Sequence, residues 1–130
     1  MAKVLGTDQM TYRTCIDSQC PDQVVAEDFD IQGVLGVYHE QSPTLAEDER
    51  GYYQNQKGIW CIWWHRPYRH WWIGHCNQRG QNHGHAWLKP DSLCPSEGKV
   101  GEWHRGGTDA ELEGLVRLPR PEDDLDAEGF

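Results

Sequence analysis

Residues 58–75, GIWCIWWHRPYRHWWIGH, decide how this chain folds. They hold five of its seven tryptophans, and their one strong turn signal is Arg66-Pro67. The apolar runs on either side are short, β-branched and aromatic, which suits strands better than a single helix. Proline removes a ladder donor and disfavours helix at the residue before it, so Arg66-Pro67 belongs in a turn. The stretch therefore predicts two central β-strands joined as a hairpin. Strand side chains alternate between faces, so Ile59, Cys61 and Trp63 share one side while Trp60, Ile62 and Trp64 share the other. Both faces are apolar. Such a strand is either covered by other layers or leaves one face for a partner.

Outward from the hairpin the same alternation recurs. Phe29 to Val34 and Leu35 to His39 read as two strands about a Gly-marked bend, and Tyr52-Tyr53 begins another short one. Gln41 to Arg50 is polar and acidic, a loop or a single helical turn with Ser42 as N-cap and Pro43 at its first position. The Asn- and Gly-rich residues 76–84 form a loop. His85-Ala-Trp87-Leu and Gly101-Glu-Trp103-His-Arg are the remaining strands, separated by turns at Lys89-Pro90-Asp91 and Cys94-Pro95. Thr108-Asp-Ala-Glu111 has capping-box spacing ahead of Leu112, Leu115 and Val116, and predicts a short helix. The expected organisation is an irregular extension over 1–26, a Trp-rich β domain over 27–107, a helix over 108–117 and an acidic extended tail over 118–130. The fold class is all-β: an antiparallel meander curled into a small sandwich or open barrel, with extended termini.

The series Gly36-x-Tyr38, Tyr52-Tyr53, the aromatic run ending Trp72-Ile-Gly74, the Gly/Asn loop, Cys94-Pro95 and Trp103 resembles a Trp-rich β-meander module. That module occurs in predicted proteins of marine protists, where a "WxIG … G … CP … W" pattern recurs. The resemblance covers residues 29–109. It implies a meander and a binding or scaffolding role, and brings no assigned chemistry with it.

At 130 residues the chain is long enough for one domain with its own core. Few aliphatics are present, so aromatic rings must supply most of the buried area. The net charge of −9 conceals a separation: residues 51–95 carry five Lys/Arg against Asp91 alone, about +4, which leaves about −13 on the flanks. An acidic periphery argues against binding nucleic acid. No apolar run approaches the ~20 residues that span a bilayer. Residues 1–10 lack the apolar core of a signal peptide, so any targeting segment is expected to be absent from this chain. The five cysteines are Cys15, Cys20, Cys61, Cys76 and Cys94, an odd number that leaves one without a partner inside the chain. That count favours a reducing compartment or buried thiols. Among pairings, Cys15–Cys20 and Cys76–Cys94 compete with free thiols.

Three constellations could carry chemistry. Cys76, His83, His85 and Cys94 would make a Cys2His2 zinc set, although their spacing matches neither a finger nor a ribbon. Cys61, Cys76 or Cys94 with a histidine and Asp91 can be drawn as a nucleophilic triad, but no strained nucleophile turn surrounds any of them. Trp60, Trp63, Trp64, Trp71 and Trp72, with Arg66, Arg69 and His70, could form a stacking platform for sugars or bases. Against this, most of the rings are needed for the core. Gly106-Gly107-Thr108-Asp109 could present N–H groups to an anion at a helix start, but its own acids fill that position.

The expected function is that of a non-enzymatic accessory subunit. It would dock onto other protein subunits of a larger, organellar assembly through Trp63, Trp64, Arg66, Tyr68, Arg69, Trp71 and the C-terminal Phe130. The alternative is a ligand-binding module that takes a carbohydrate on exposed tryptophan or holds a structural zinc. Neither requires a nucleic acid or a membrane span.

Overall fold

The computed structural model describes residues 20–41 and 50–123. Eight antiparallel strands form one sheet: β1 (Gln23–Glu27), β2 (Gly36–Glu40), β3 (Tyr53–Asn55), β4 (Trp60–His65), β5 (His70–His75), β6 (Ala86–Leu88), β7 (Trp103–Arg105) and β8 (Leu115–Arg117). β1 to β7 are neighbours in chain order, and β8 returns to pair with β1, so the meander rolls into a nearly closed barrel. The central hairpin is as expected, with Trp60 opposite His75 and His65 opposite His70. Its turn is Arg66-Pro67-Tyr68-Arg69, closed by the Arg69 N–H on the Arg66 carbonyl at 3.1 Å. The β3–β4 turn is held by Asn55, whose Oδ1 accepts from the N–H groups of Ile59 and Trp60, each at 3.1 Å.

The alternation sorts the aromatic rings cleanly. Trp60, Ile62, Trp64, Trp71 and Ile73 point inward and join Val24, Tyr38, Tyr53, Leu88, Trp103 and Val116 in the barrel core. Cys61, Trp63 and Trp72 point outward and form a second cluster with Tyr52, Cys76 and Trp87. Both faces of the hairpin are therefore covered, the inner by the barrel wall opposite and the outer by the loops. Several polar groups in the core are tied off, whereas the indole N–H groups of Trp64 and Trp103 are buried without a hydrogen-bond partner. The hydroxyl of Tyr38 donates to the Val34 carbonyl at 2.6 Å, and that of Tyr53 to the Pro21 carbonyl at 2.7 Å. The Trp71 indole donates to the Ser92 carbonyl at 3.0 Å.

The helix expected over 108–117 does not form; the helical elements of the described residues are three single 3-10 turns. Thr108 Oγ1 accepts from the N–H of Ala110 at 3.1 Å, a local turn, instead of capping a helix at Glu111. The chain then runs back along β7: Arg105 N–H donates to the Ala110 carbonyl and Leu112 N–H to the Trp103 carbonyl, both at 2.8 Å. Past Gly114, where a Cβ would collide with the Phe29 ring, it continues as β8 beside β1. Without this segment β7 and β1 would both be bare sheet edges, and satisfying them outweighs one short helix. Two further corrections concern the N-terminal half. β1 starts at Gln23, inside the stretch read as irregular, and residues 29–34 turn instead of extending. The turn expected at Ser42-Pro43 lies outside the described residues.

Two disulfides staple the barrel: Cys20–Cys94, 74 residues apart, and Cys61–Cys76, 15 apart. Neither the Cys76–Cys94 nor the Cys15–Cys20 pairing occurs, because each of Cys20, Cys76 and Cys94 has another partner; Cys15 itself lies outside the described residues. Arg117 locks β8 in place, its Nε 2.6 Å from Glu27 Oε1 on β1 and its guanidinium paired with Asp123. That pairing, with the Arg120 N–H, holds the Asp123 carboxyl down to about 2. Among the described residues, no helix is long and apolar enough to cross a membrane.

Candidate functional site: an aromatic cleft on the outer face

Three outward tryptophans lie in one row across the sheet, Trp63 opposite Trp72 and Trp72 opposite Trp87, with His104 next in line. Their carbon surface is packed down and their N–H groups reach sideways into the flanking loops. Trp63 donates to the Gln81 carbonyl at 3.2 Å, Trp72 to Asn82 Oδ1 at 3.1 Å and Trp87 to the Thr108 carbonyl at 3.0 Å. The row thus holds two loops, residues 76–84 and 106–109, in fixed positions above the sheet. Cys61–Cys76 pins the start of the first loop to β4. Gly84 and Gly106 let the loops meet at their bases: a Cβ on Gly106 would collide with the Gly84 carbonyl, and one on Gly84 would lie 2.7 Å from the Trp72 ring.

Between the loops lies a shallow cleft of about 390 Å³, lined by His70, Trp72, Asn82, His83, Trp87, Gly107, Thr108 and Asp109. That volume falls in the lower part of the range of roughly 300–1,000 Å³ typical of ligand sites. Its floor is aromatic, built of rings tilted against one another. The His70 ring packs 5.0 Å from that of Trp87 and 5.4 Å from that of Trp72, while His104 lies 5.2 Å from Trp87 on the other side. Its rim carries the amide of Asn82, the imidazole of His83, the hydroxyl of Thr108 and the carboxylate of Asp109. Asp109 is balanced by Lys89 at 3.5 Å and faces His104 Nδ1 at 3.7 Å. His104 Nδ1 also lies 3.0 Å from the Asp109 carbonyl oxygen. Burial lowers the His70 pKa below its ordinary value, against the upward pull of the Asn82 side chain.

The structure separates the residues proposed from the sequence for metal binding. Cys76 and Cys94 are in different disulfides, so neither offers a thiolate to zinc or to a nucleophilic triad, and the same holds for Cys61. Among the described residues, no group of three or more His, Cys, Asp and Glu could hold a metal ion. His83 instead lines the cleft, and His85 sits at the base of its loop. The proposed docking rings are mostly inside: Trp63, Trp64 and Trp71 are 2%, 8% and 1% exposed, because their strand faces are covered on both sides. Arg66, Tyr68 and Arg69 are outside, on the hairpin turn, with Tyr68 63% exposed and Arg69 Nε 2.7 Å from Asp91 Oδ2. Phe130 lies outside the described residues. Gly107, Thr108 and Asp109 serve neither a helix start nor an anion nest, but form one wall of the cleft.

The cleft as a unit was not visible in the sequence. In the sequence His70 reads only as part of a stacking platform, His83 only as a zinc ligand and Thr108 only as a helix start, while Asn82 carries no motif. The available signal was the outward phase of Trp72 and Trp87, which face each other only once the register is known. Compared with known proteins, the chain matches no family model, no curated protein and no solved structure.

Proposed function

We propose that this protein is a non-catalytic binding module whose cleft receives a sugar ring. The observation that carries this reading is the pairing of an aromatic floor, Trp87 with His70 packed against it, with a rim of Asn82, His83, Thr108 and Asp109. A pyranose has the matching chemistry: one face of C–H groups to lie on an indole, and a ring of hydroxyls that both donate and accept. The one carboxylate of the lining already faces Lys89, so the cleft does not demand a charged ligand. The two disulfides favour an oxidising compartment over the reducing one expected from the cysteine count.

The test is titration with neutral disaccharides (cellobiose, xylobiose, chitobiose and maltose), followed by tryptophan fluorescence and by calorimetry. Saturable binding of at least one, lost in Trp87→Ala, is the expected result. No heat and no saturable fluorescence change with any of the four would reject the reading.

A second reading keeps the accessory-subunit role and rests on the hairpin turn. Tyr68 stands out from the barrel, its ring tilted against those of His65 and His70 at 5.6 and 6.0 Å, with Arg66 and Arg69 beside it. Tyr and Arg dominate the energetics of protein interfaces. Co-purifying subunits that are lost with Tyr68→Ala but kept with Trp87→Ala would favour this reading over the first.

A further inference from the structure

Five of the seven histidines gather around this one cleft and its loops. His70 and His83 line it, and His104 lies against Trp87 beneath Asp109. His75 and His85 flank the first loop, one at each end, with their rings 4.9 Å apart and each packed on Trp60, at 4.6 and 4.9 Å. Two of these imidazoles are held in a way that suits only the neutral form. His70 Nε2 and His85 Nδ1 are enclosed, and neither has a hydrogen-bond partner. A second proton would bring a charge into an enclosed site, where only the Asn82 side chain favours it on His70 and no such partner favours it on His85.

The surroundings offer little relief. His70 faces His65 from β4 at 6.2 Å, Tyr68 from the turn, Trp72 on its own strand, Trp87 from β6, Asn82 from the loop, and His83 and Asp109 along the cleft. His85 faces His75 from β5, Trp60 from β4 and His83 of its own loop. Asp109 is the one acid among these neighbours, and Lys89 and His104 already engage it. Each further proton therefore adds charge next to other imidazoles.

From this geometry we infer that the cleft is acid-responsive: it holds its sugar near neutral pH and releases it on acidification, when histidine protonation loosens the 76–84 loop. This rests on the sugar reading above. The direction of the titrations agrees. Burial lowers the His70 pKa, outweighing the upward pull of the Asn82 side chain, and His65 lowers it further; burial, His75 and His83 all lower that of His85. Both imidazoles regain their ordinary basicity if the loop opens, so opening takes up protons. It is favoured progressively as pH falls below about 6.5, the value for a free histidine. The opening equilibrium therefore shifts toward the open loop with each histidine released, and affinity falls as the closed fraction falls.

The experiment compares pH 7.5 with pH 5.0 at constant ionic strength. Affinity is measured for whichever of the four disaccharides binds most tightly at pH 7.5. In parallel, amide hydrogen exchange over residues 76–85, corrected for intrinsic rates, is followed without ligand. The expected result is a tenfold or greater loss of affinity at pH 5.0 with faster exchange of the loop. Both effects should be flattened in His75→Gln/His85→Gln, whose changed residues do not line the cleft. His70→Gln, read by exchange alone, should also blunt the response. Equal affinity and equal loop protection at the two pH values would overturn the inference. If no disaccharide binds at pH 7.5, the sugar reading fails on its own. The exchange data then still decide whether acid opens the loop, and a flat profile overturns that as well.

Discussion

Trp72 and Trp87 stand directly opposite each other on β5 and β6, and each gives its indole N–H to a different wall of the same cleft, Asn82 Oδ1 and the Thr108 carbonyl. One cross-strand pair therefore sets both the floor of the site and the separation of its walls. Sheet register, a property of the whole barrel, becomes the ruler that positions the loops.

The two rings should respond differently to truncation. Trp72 is 5% exposed, and Trp72→Ala should cost about 3–5 kcal/mol of stability by leaving a cavity under the loop. Trp87 is only part-buried, so Trp87→Ala should cost less while abolishing sugar binding. Urea unfolding alongside the disaccharide titrations separates the two effects.

Removing the disulfides should weaken the fold unequally. Cys20–Cys94 closes a 74-residue separation and Cys61–Cys76 a 15-residue one. On loop-closure entropy, Cys20→Ser/Cys94→Ser should cost somewhat more than Cys61→Ser/Cys76→Ser, about 4 against about 3 kcal/mol. The second pair should nevertheless affect ligand binding more, since it anchors the 76–84 loop. Paired unfolding and binding curves of the two double variants check this ordering.

Global stability should fall with acid. Burial lowers the pKa of His65, His70 and His85 in the folded protein. Below about 6.5 the unfolded chain binds protons that the folded chain does not, so unfolding becomes easier as pH falls. The loss should begin near pH 6.5 and level off once pH has passed through the lowered folded values. The urea midpoint measured in half-unit steps from pH 7.5 to 4.5 should show that step. It should shrink in His65→Gln/His70→Gln/His85→Gln.

Gly106→Ala should destabilise the protein, because the added methyl meets the Gly84 carbonyl, which is backbone and cannot rotate away. A loss of about 1–3 kcal/mol is expected, typical of overpacking. Gly80→Ala is the useful contrast. No atom lies within 4 Å of its Cβ, so its cost is confined to the positive φ of 92°. Thermal unfolding of the two variants should rank them in that order.

Arg117→Ala should release the barrel seam. Its guanidinium, 14% exposed, spans Glu27 on β1 and Asp123 beyond β8, so removing it takes the cation from Glu27 and leaves Asp123 with Arg120 alone. The urea midpoint should fall, by less than for a fully buried pair because Glu27 and Asp123 keep contact with water. Faster exchange of the β8 amides, with those of β4 and β5 unchanged, would be its signature.

Several features were legible in the chain itself because they depend on local rules. Residues 58–75 could form a hairpin and little else: aromatic and β-branched runs, a proline between them, and period-two alternation. The same patterning marked Tyr38, Tyr53, Trp87 and Trp103 as strand residues, and the scarcity of aliphatics meant that tryptophan had to build the core. Other features were decided only by tertiary structure. Thr108 to Val116 carries a helix-start pattern, yet bridges to β7 at Glu111 and enters β8 at Leu115, because two sheet edges would otherwise be left with unsatisfied backbone groups. Cys94 follows Cys76 in the chain but bonds to Cys20, since closing the barrel brings the start of β1 beside the loop after β6. Whether Trp63 or Trp72 faced water depended on what lay above them, and the loops that cover them are held by their own indole N–H groups. The cleft belongs to this second kind. His70, Asn82, Trp87 and Asp109 are far apart in sequence and become one surface only through the register of β5, β6 and β7, which no local pattern encodes.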